Sequence, residues 1–280
     1  MNILITGGTG FIGRNMLEQL KGYQLFAPRS SELNLLNRED LLAYVKANKI
    51  ELIIDCSCWN AYINPNKAEN LVFINNVKMF FNISCCSSLV KKIIYFGSGA
   101  EFDRASWKSM MGEDYFGMNI PRDDYGLSKY INCLQIKQAQ NIYNLRIFGV
   151  FGPHEDYHKR FISYCIVRAL SNKKIEMNQN CFFDYLYIDD LVKITDKFIK
   201  QDFKHRIYNV CTGKRFELAD LAQRVLKITG SHAEITVKKP GLNSEYTGDN
   251  SLLLKEIEYK FEDIDKSIKK LAEWYSRSTF

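Results

Sequence analysis

The chain is predicted to form an α/β fold built on a doubly wound parallel sheet. Three observations predict it. A short apolar run, Asn2 to Ile5, leads directly into the glycine-rich stretch Thr6-Gly7-Gly8-Thr9-Gly10-Phe11-Ile12-Gly13. Strand-like and helix-like stretches then alternate over the first hundred residues, as successive strand–helix–strand units do. Finally, 280 residues that are 46% hydrophobic and 25% charged suffice for one large core, or for a core with an added lobe.

Asn2 to Ile5 has the length and β-branched content of a buried strand. The glycines after it allow a tight turn, close approach to a ligand and packing of the next helix against the strand. Asn15 to Leu20 continues that helix, whose first N–H groups would face an anion. Gly8-x-Gly10-x-x-Gly13 fits the pattern of a dinucleotide-binding loop. A second strand is expected over Tyr23 to Ala27. In a dinucleotide site an acidic residue at the end of this strand would bond the adenosine ribose and repel a 2′-phosphate. Here the chain reads Ala27-Pro28-Arg29-Ser30-Ser31, with no acid until Glu32. A cation with hydroxyls suits a 2′-phosphate, so NADPH is favoured over NADH. The competing reading of Arg29 is a solvated loop residue.

Asn37 to Lys46 is an amphipathic helix with Asn37 as its cap. Glu51 to Cys56 is a third strand, nearly continuous in apolar residues. A long helix is expected from Lys67 to Leu89, and a fourth strand over Ile93 to Gly97, ending on Ser98. Tyr125 opens the next helix, which runs to about Gln140. Further on, Asp189 and Asp190 read as the cap and first-turn acid of another helix.

The formal charge of +6 is modest and its Lys and Arg are scattered, which argues against a nucleic-acid surface. Eight cysteines show no metal-ligand spacing. Cys56, Cys58, Cys85 and Cys86 lie in apolar segments, as thiols of a reducing compartment would. No apolar stretch approaches the length of a membrane span, so a cytoplasmic protein is expected.

The chemistry of such a sheet belongs at the carboxyl ends of its strands. Ser98 stands there. Tyr125 and Lys129 are four residues apart, so on a helix they share one face. A free phenol has a pKa of about 10. A neighbouring ammonium favours the phenolate and would bring that value nearer neutrality. Ser98 can donate a hydrogen bond to a carbonyl on which charge develops. Tyr-x-x-x-Lys alone is also a common exposed helix pair; the glycine loop and the strand-end serine favour the catalytic reading.

These residues resemble the extended short-chain dehydrogenase/reductase family of NAD(P)-dependent sugar-nucleotide epimerases, dehydratases and reductases. The resemblance runs along essentially the whole chain. Gly7-x-x-Gly10-x-x-Gly13 fits the family's nucleotide loop, and Asn76 to Asn82 is similar to its Asn-Val-x-Gly-Thr-x-Asn segment, with Met79 and Phe80 in place of Gly-Thr. Leu145 to Pro153, Asp184 to Asp190, Tyr208 to Gly213, Gly248 to Ser251 and Glu273 to Tyr275 repeat later landmarks. The resemblance implies a Rossmann domain over residues 1–150 and 186–211, with an interleaved substrate lobe over 151–185 and 212–280. It implies catalytic roles for Ser98, Tyr125 and Lys129. Cofactor contacts are implied for Gly7, Thr9, Gly10, Phe11, Ile12, Gly13, Arg29, Ser30, Asn34, Leu35, Cys56, Ser57, Cys58, Asn76, Tyr125 and Lys129. Substrate contacts are implied for Ser98, Gly99, Tyr125, Gly149, His154 and Arg160. Arg146 and Asp184 read as structural. A homodimer through the 67–89 and 125–140 helices is the family expectation.

The neighbours of Ser98 sort the possible reactions. Dehydratases of this kind carry Asp-Glu directly after the catalytic Ser/Thr, to supply the extra acid and base. Gly99 and Ala100 stand there, with Glu101 one position late. The epimerase–reductases that make GDP-fucose are similar around Glu32 to Leu36 and Gly152 to His158, but use a Cys where Ala100 stands. What remains is a 4-keto reductase: NADPH-dependent reduction of a nucleotide-linked 4-keto-6-deoxysugar, with Tyr125 as proton donor. The alternatives are an NAD-dependent nucleotide-sugar C4 epimerase and a cofactor-sensing binding protein without chemistry. Two family ligands are replaced: the Asn of Asn-Val-Tyr-Gly-Pro is Gly149, and an Arg before Asp184 is Phe183. Arg160, Arg168, Lys173 or Lys174 would then have to hold the diphosphate. His154 and His158 read either as acids or donors, or as polar loop residues. Nothing in the sequence identifies a metal site.

Overall fold

In the computed structural model, which describes residues 1–60 and 67–277, β1 spans Asn2–Thr6. Its side chains alternate as a strand covered on both faces requires: Ile3 and Ile5 enter one buried cluster and Leu4 the other. Next come α1 (Phe11–Gln19), β2 (Gln24–Phe26), α2 (Arg38–Ala47), β3 (Leu52–Asp55) and α3 (Val72–Ser84). They are followed by β4 (Lys92–Ser98), α4 (Asp124–Ile136), β5 (Ile142–Ile147), β6 (Gly149–Phe151) and α5 (Phe161–Leu170). β7 (Ile175–Asn180), β8 (Phe182–Phe183), β9 (Tyr185–Tyr187), α6 (Ile188–Lys200) and β10 (Ile207–Val210) continue the chain. β11 (Phe216–Glu217), α7 (Leu218–Thr229), β12 (Ile235–Leu242), α8 (Ser251–Leu254) and α9 (Ile264–Ser276) complete it.

The central sheet has six strands, all parallel, in the order β10-β5-β4-β3-β1-β2. One face packs Ile54, Ile94 and Leu145 against Met16 of α1 and Leu191, Ile194 and Phe198 of α6. The other packs Ile53, Ile93 and Ile142 against Leu41 and Val45 of α2, Phe80 and Ile83 of α3, and Ile136 of α4. This is a Rossmann-like α/β fold. The chain leaves β1 for β2 on one side, then returns to β3 on the other. The strand order therefore reverses between β1 and β3, and the crevice for a ligand opens at their carboxyl ends.

β6 pairs in parallel with β9, β7 with β12, and β8 antiparallel with β11. α5 packs against α7 and α9 beside these short ladders. Their buried Ile166, Leu221 and Leu271 belong to the same cluster as Ile3, so the sheet and this outer layer share one core. Residues 278–280, the end of the anticipated lobe, lie outside the described residues. No helix of the described residues is long and apolar enough to cross a membrane.

Local signals were read well where one residue decides the geometry. Asn37 caps α2, its Oδ1 accepting from the amides of Glu39 at 3.1 Å and Asp40 at 3.4 Å. The long helix expected over 67–89 is instead three pieces: a 3-10 turn at Glu69–Leu71, α3, and a second 3-10 stretch at Cys85–Ser88. The run Ser84-Cys85-Cys86-Ser87-Ser88 consists of weak helix formers, and the Ser84 hydroxyl donates back to the Phe81 carbonyl. α4 likewise ends at Ile136, four residues before the expected Gln140. Asp189 and Asp190 both lie in the first turn of α6, but the cap position is Tyr187. Asp190 serves tertiary structure as well, accepting from the Tyr259 hydroxyl and the Glu262 amide.

Candidate active site

The glycine loop lies at the reversal point. Gly7 has φ +64°, and a Cβ there would lie 2.7 Å from the Cys56 carbonyl oxygen at the end of β3. A Cβ on Gly13 would lie 2.3 Å from the Gly7 oxygen, so α1 stands directly on the loop only because residue 13 has no side chain. α1 is capped by Gly10, has no side-chain cap and carries no acidic residue in its first turn. Its terminal N–H groups and positive dipole end are therefore left for an external anion. These features fit the pyrophosphate of a dinucleotide. Phe11 and Ile12 reach the large cavity described below.

The other anticipated cofactor residues are placed less uniformly. Cys56, Ser57 and Cys58 follow β3 at the crevice, with the Ser57 amide and hydroxyl both donating to Asp55. Arg29 and Ser30 form the exposed turn after β2. There the Glu32 carboxylate folds back onto the Arg29 amide at 2.7 Å, returning a negative charge to a turn read as cationic. Asn34 is exposed and turns its side chain to the Leu36 amide, while the Leu35 carbonyl accepts from Asn82. Asn76 is held by bonds within the chain. Its Oδ1 accepts from the Trp59 amide at 2.7 Å, and its Nδ2 donates to the Trp59 and Val72 carbonyls, both at 2.9 Å. The buried amide is thus occupied in holding the strand β3 exit to α3.

Ser98 ends β4 and begins a tight 3-10 turn, Gly99–Glu101. The Ser98 Oγ accepts from the Ala100 amide at 3.1 Å, and Glu101 accepts from the Ser98 amide at 3.0 Å. Glu101 is fully buried and ion-paired with Arg146 at 2.8 Å. It is a structural anion, which accounts for an acid near Ser98 without a catalytic role. Gly99 has no room for a side chain: a Cβ would lie 2.7 Å from the Tyr246 hydroxyl.

Tyr125 and Lys129 come from the first turns of α4 and share the face turned to β4. The Lys129 Nζ donates to the Phe96 carbonyl at 2.8 Å and lies 4.3 Å over the Tyr95 ring and 6.0 Å from that of Tyr125. Burial opposes its charge, but its phenol and thiol neighbours Tyr95, Tyr125 and Cys58 outweigh that, so Lys129 remains an ammonium. Burial pushes the Tyr125 phenol above its ordinary range, while the Lys129 ammonium pulls it down. The sequence led us to expect a net lowering. Burial outweighs the ammonium and the shift is upward, although the ring is partly exposed where it lines the cavity.

Ser98 and Tyr125 open into a cavity of about 650 Å³. Trp107, Phe148, Phe183, Tyr185 and Tyr246 form an aromatic wall, and Lys159 with Arg160 supplies cations. Gly149 also lines it; a Cβ there would lie 2.6 Å from the Asp184 carbonyl, so an Asn would collide with β9. Glu155 is a buried carboxyl of the same wall. The Ser163 hydroxyl donates to its Oε1, while Oε2 has no hydrogen-bond partner. Burial pushes this carboxyl up to about 8.

Several expected substrate residues lie elsewhere. His154 has φ +72° and is swung back over α1, where its Nε2 meets Glu18 at 2.9 Å and its ring meets Trp274. His158 packs on Tyr157 and is exposed. Of the four proposed diphosphate cations only Arg160 lines the cavity. Arg168 binds the Lys174 carbonyl, and Lys174 pairs with Glu234, at the far end of α5. Arg146 and Asp184 are structural: Asp184 accepts from the Thr212 amide and hydroxyl and from the Gly213 and Lys214 amides. Sequence reading missed Trp107, Glu155, Lys159 and Tyr246. Each lies beside a motif but carries no spacing signal of its own.

Comparison with known proteins agrees with this geometry. Residues 3–211 match the model of the NAD dependent epimerase/dehydratase family. The ADP-L-glycero-D-manno-heptose-6-epimerase of Brachyspira hyodysenteriae is 25% identical over 317 residues, covering 99% of this chain and 98% of that protein. The NADP-bound GDP-mannoheptose C4 reductase of Campylobacter jejuni superposes with a TM-score of 0.85 at 19% identity, covering 98% of both chains. UDP-glucose 4-epimerase from Thermotoga maritima, solved with UDP-glucose, gives 0.81 at 18% identity and 99% of both chains. The chain belongs to the NAD dependent epimerase/dehydratase family and is an NAD(P)-dependent enzyme of the extended short-chain dehydrogenase/reductase type.

Proposed function

We propose that the protein reduces a nucleotide-linked 4-keto-6-deoxysugar at the expense of NADPH. The observation that carries this reading is that Ser98 and Tyr125 line one cavity, with the Lys129 Nζ 6.0 Å from the Tyr125 ring and burial favouring the protonated phenol. Reduction of a ketone begins with a proton on the acid catalyst, whereas oxidation of an alcohol, the first step of epimerisation, begins with a base. The dinucleotide, when bound, supplies hydride. Ser98 donates to the ketone oxygen, Tyr125 delivers a proton to the forming alkoxide, and the Lys129 ammonium stabilises the phenolate left behind. Positions 99 and 100 carry no acid or base, and Glu101 is locked to Arg146, so the turn after Ser98 adds no second proton transfer.

Arg160 and Lys159 are assigned to the diphosphate, and the aromatic wall to the sugar and base. Residues 151–185 and 212–280 act as the substrate lobe. Arg29 and Ser30 favour NADPH over NADH. The half-exposed Ile74, Phe81 and Leu134 on α3 and α4 suit a homodimer, and eight free thiols suit the cytoplasm. NADPH oxidation against a panel of nucleotide-linked 4-keto sugars, with product stereochemistry read by NMR, tests the reading. Tyr125→Phe should lower kcat by a factor on the order of 10²–10⁴ with dinucleotide affinity retained. Normal turnover by that variant refutes the assignment; stoichiometric bound NAD with epimerised product would replace it by a C4 epimerase.

A further inference from the structure

Ser98 has one proton to give and two lone pairs to fill. The Ala100 amide fills one lone pair, at 3.1 Å. The nearest side chain on the lobe side is Tyr246, whose Oη lies 3.5 Å from the Ser98 Oγ. Its ring is buried and clamped by Trp107, Phe148 and Phe183, with centroids at 4.2, 5.1 and 5.4 Å. The missing side chain of Gly99 leaves the space into which this hydroxyl projects. Were Ser98 to give its proton to Tyr246, nothing would remain for a substrate oxygen. The opposite direction uses every site: Tyr246 gives its proton to Ser98, and Ser98 keeps its own for the cavity. Burial keeps the Tyr246 phenol protonated and so able to donate. At 3.5 Å the contact is longer than a fully formed O–H···O bond, as catalytic hydrogen bonds often are before substrate arrives.

We propose that Tyr246 is a positioning residue for the reduction, fixing the Ser98 hydroxyl by donating to its second lone pair so that the Ser98 proton points at the substrate ketone. The inference rests on the reading that Ser98 polarises that ketone. It adds to the Ser–Tyr–Lys group a second phenol, from a segment 148 residues further along the chain.

The test is a double-mutant cycle on the NADPH-loaded enzyme, with Tyr246→Phe, Ser98→Ala and the pair together. Tyr246→Phe keeps the ring and should lower kcat by about tenfold, with KM for NADPH unchanged. Ser98→Ala should lower kcat by about 10²-fold, and the double variant should match it within about twofold, because Tyr246 acts only through Ser98. Unchanged kcat in Tyr246→Phe, or losses that multiply in the double variant, overturns the proposal. If Tyr125→Phe is inactive while the cycle fails in either way, the reductase reading stands and only this inference falls. If the wild type epimerises a nucleotide sugar instead, the reductase reading falls and the cycle is run on epimerisation. A crystal structure of the NADPH complex decides without turnover: a Tyr246 hydroxyl out of hydrogen-bonding reach of Ser98 refutes the inference.

Discussion

Glu155 gives a stability prediction whose sign can be worked out in full. It is 6% exposed, with one oxygen bonded by the Ser163 hydroxyl and the other unpartnered. Burial pushes its pKa from 4.5 up to about 8; the Ser163 hydrogen bond, Arg160 and the Gly152 amide oppose this, and Asp156 adds to it. Between those two values the folded chain holds a proton that the unfolded chain has released. Stability relative to a non-titrating side chain therefore falls as pH rises through that window. One pKa unit is worth about 1.4 kcal/mol, so the full cost above pH 8 is roughly 5 kcal/mol. Glu155→Gln keeps the shape and the acceptor for Ser163. Urea unfolding of both proteins between pH 5 and 8.5 should show the variant gaining on the wild type by about 1 kcal/mol per pH unit, to about 3–5 kcal/mol at the alkaline end. A difference that stays flat across that range would mean that Glu155 ionises as an ordinary carboxyl, and would refute the reasoning.

Two further outcomes follow from the same geometry. Gly13→Ala places a Cβ 2.3 Å from the Gly7 oxygen, where only backbone can yield, so α1 must shift off the loop. NADPH affinity measured by titration calorimetry should fall at least about tenfold, since the helix N-terminus no longer meets the pyrophosphate. Arg146→Met leaves the Glu101 carboxylate buried without its cation. Urea unfolding at neutral pH should show a loss of about 3–5 kcal/mol, shrinking sharply when Glu101→Gln is added.

The elements and their layers were legible because each depends on neighbouring residues. Ile3, Leu4 and Ile5 already alternate in sequence, and Asn37 announces its own cap. Contacts across the fold were not. Tyr246 meets Ser98 across 148 residues, and no local pattern connects them. Asn76 matched a family segment, and its amide bonds the Trp59 backbone and the Val72 carbonyl, a matter of where β3 leaves the sheet. His154 adjoins a motif, but one left-handed residue turns it towards Glu18. Even the sign of the Tyr125 shift needed the walls of the cavity, since sequence supplied the ammonium and not the burial.

The Glu101–Arg146 pair reaches further than its two residues. Arg146 also donates to Asn209, and the Asn209 side chain donates to the Met111 and Asp249 carbonyls. The Ser98 turn is thereby tied through β10 to the strip that presents Tyr246. Beneath the cavity lies a keystone: alter any stone of it and the reacting hydroxyls move together. Arg160, at the rim, lends no side chain to that series of bonds. Attempts to change the ligand that this cavity accepts should recut that part of the rim and leave the keystone alone.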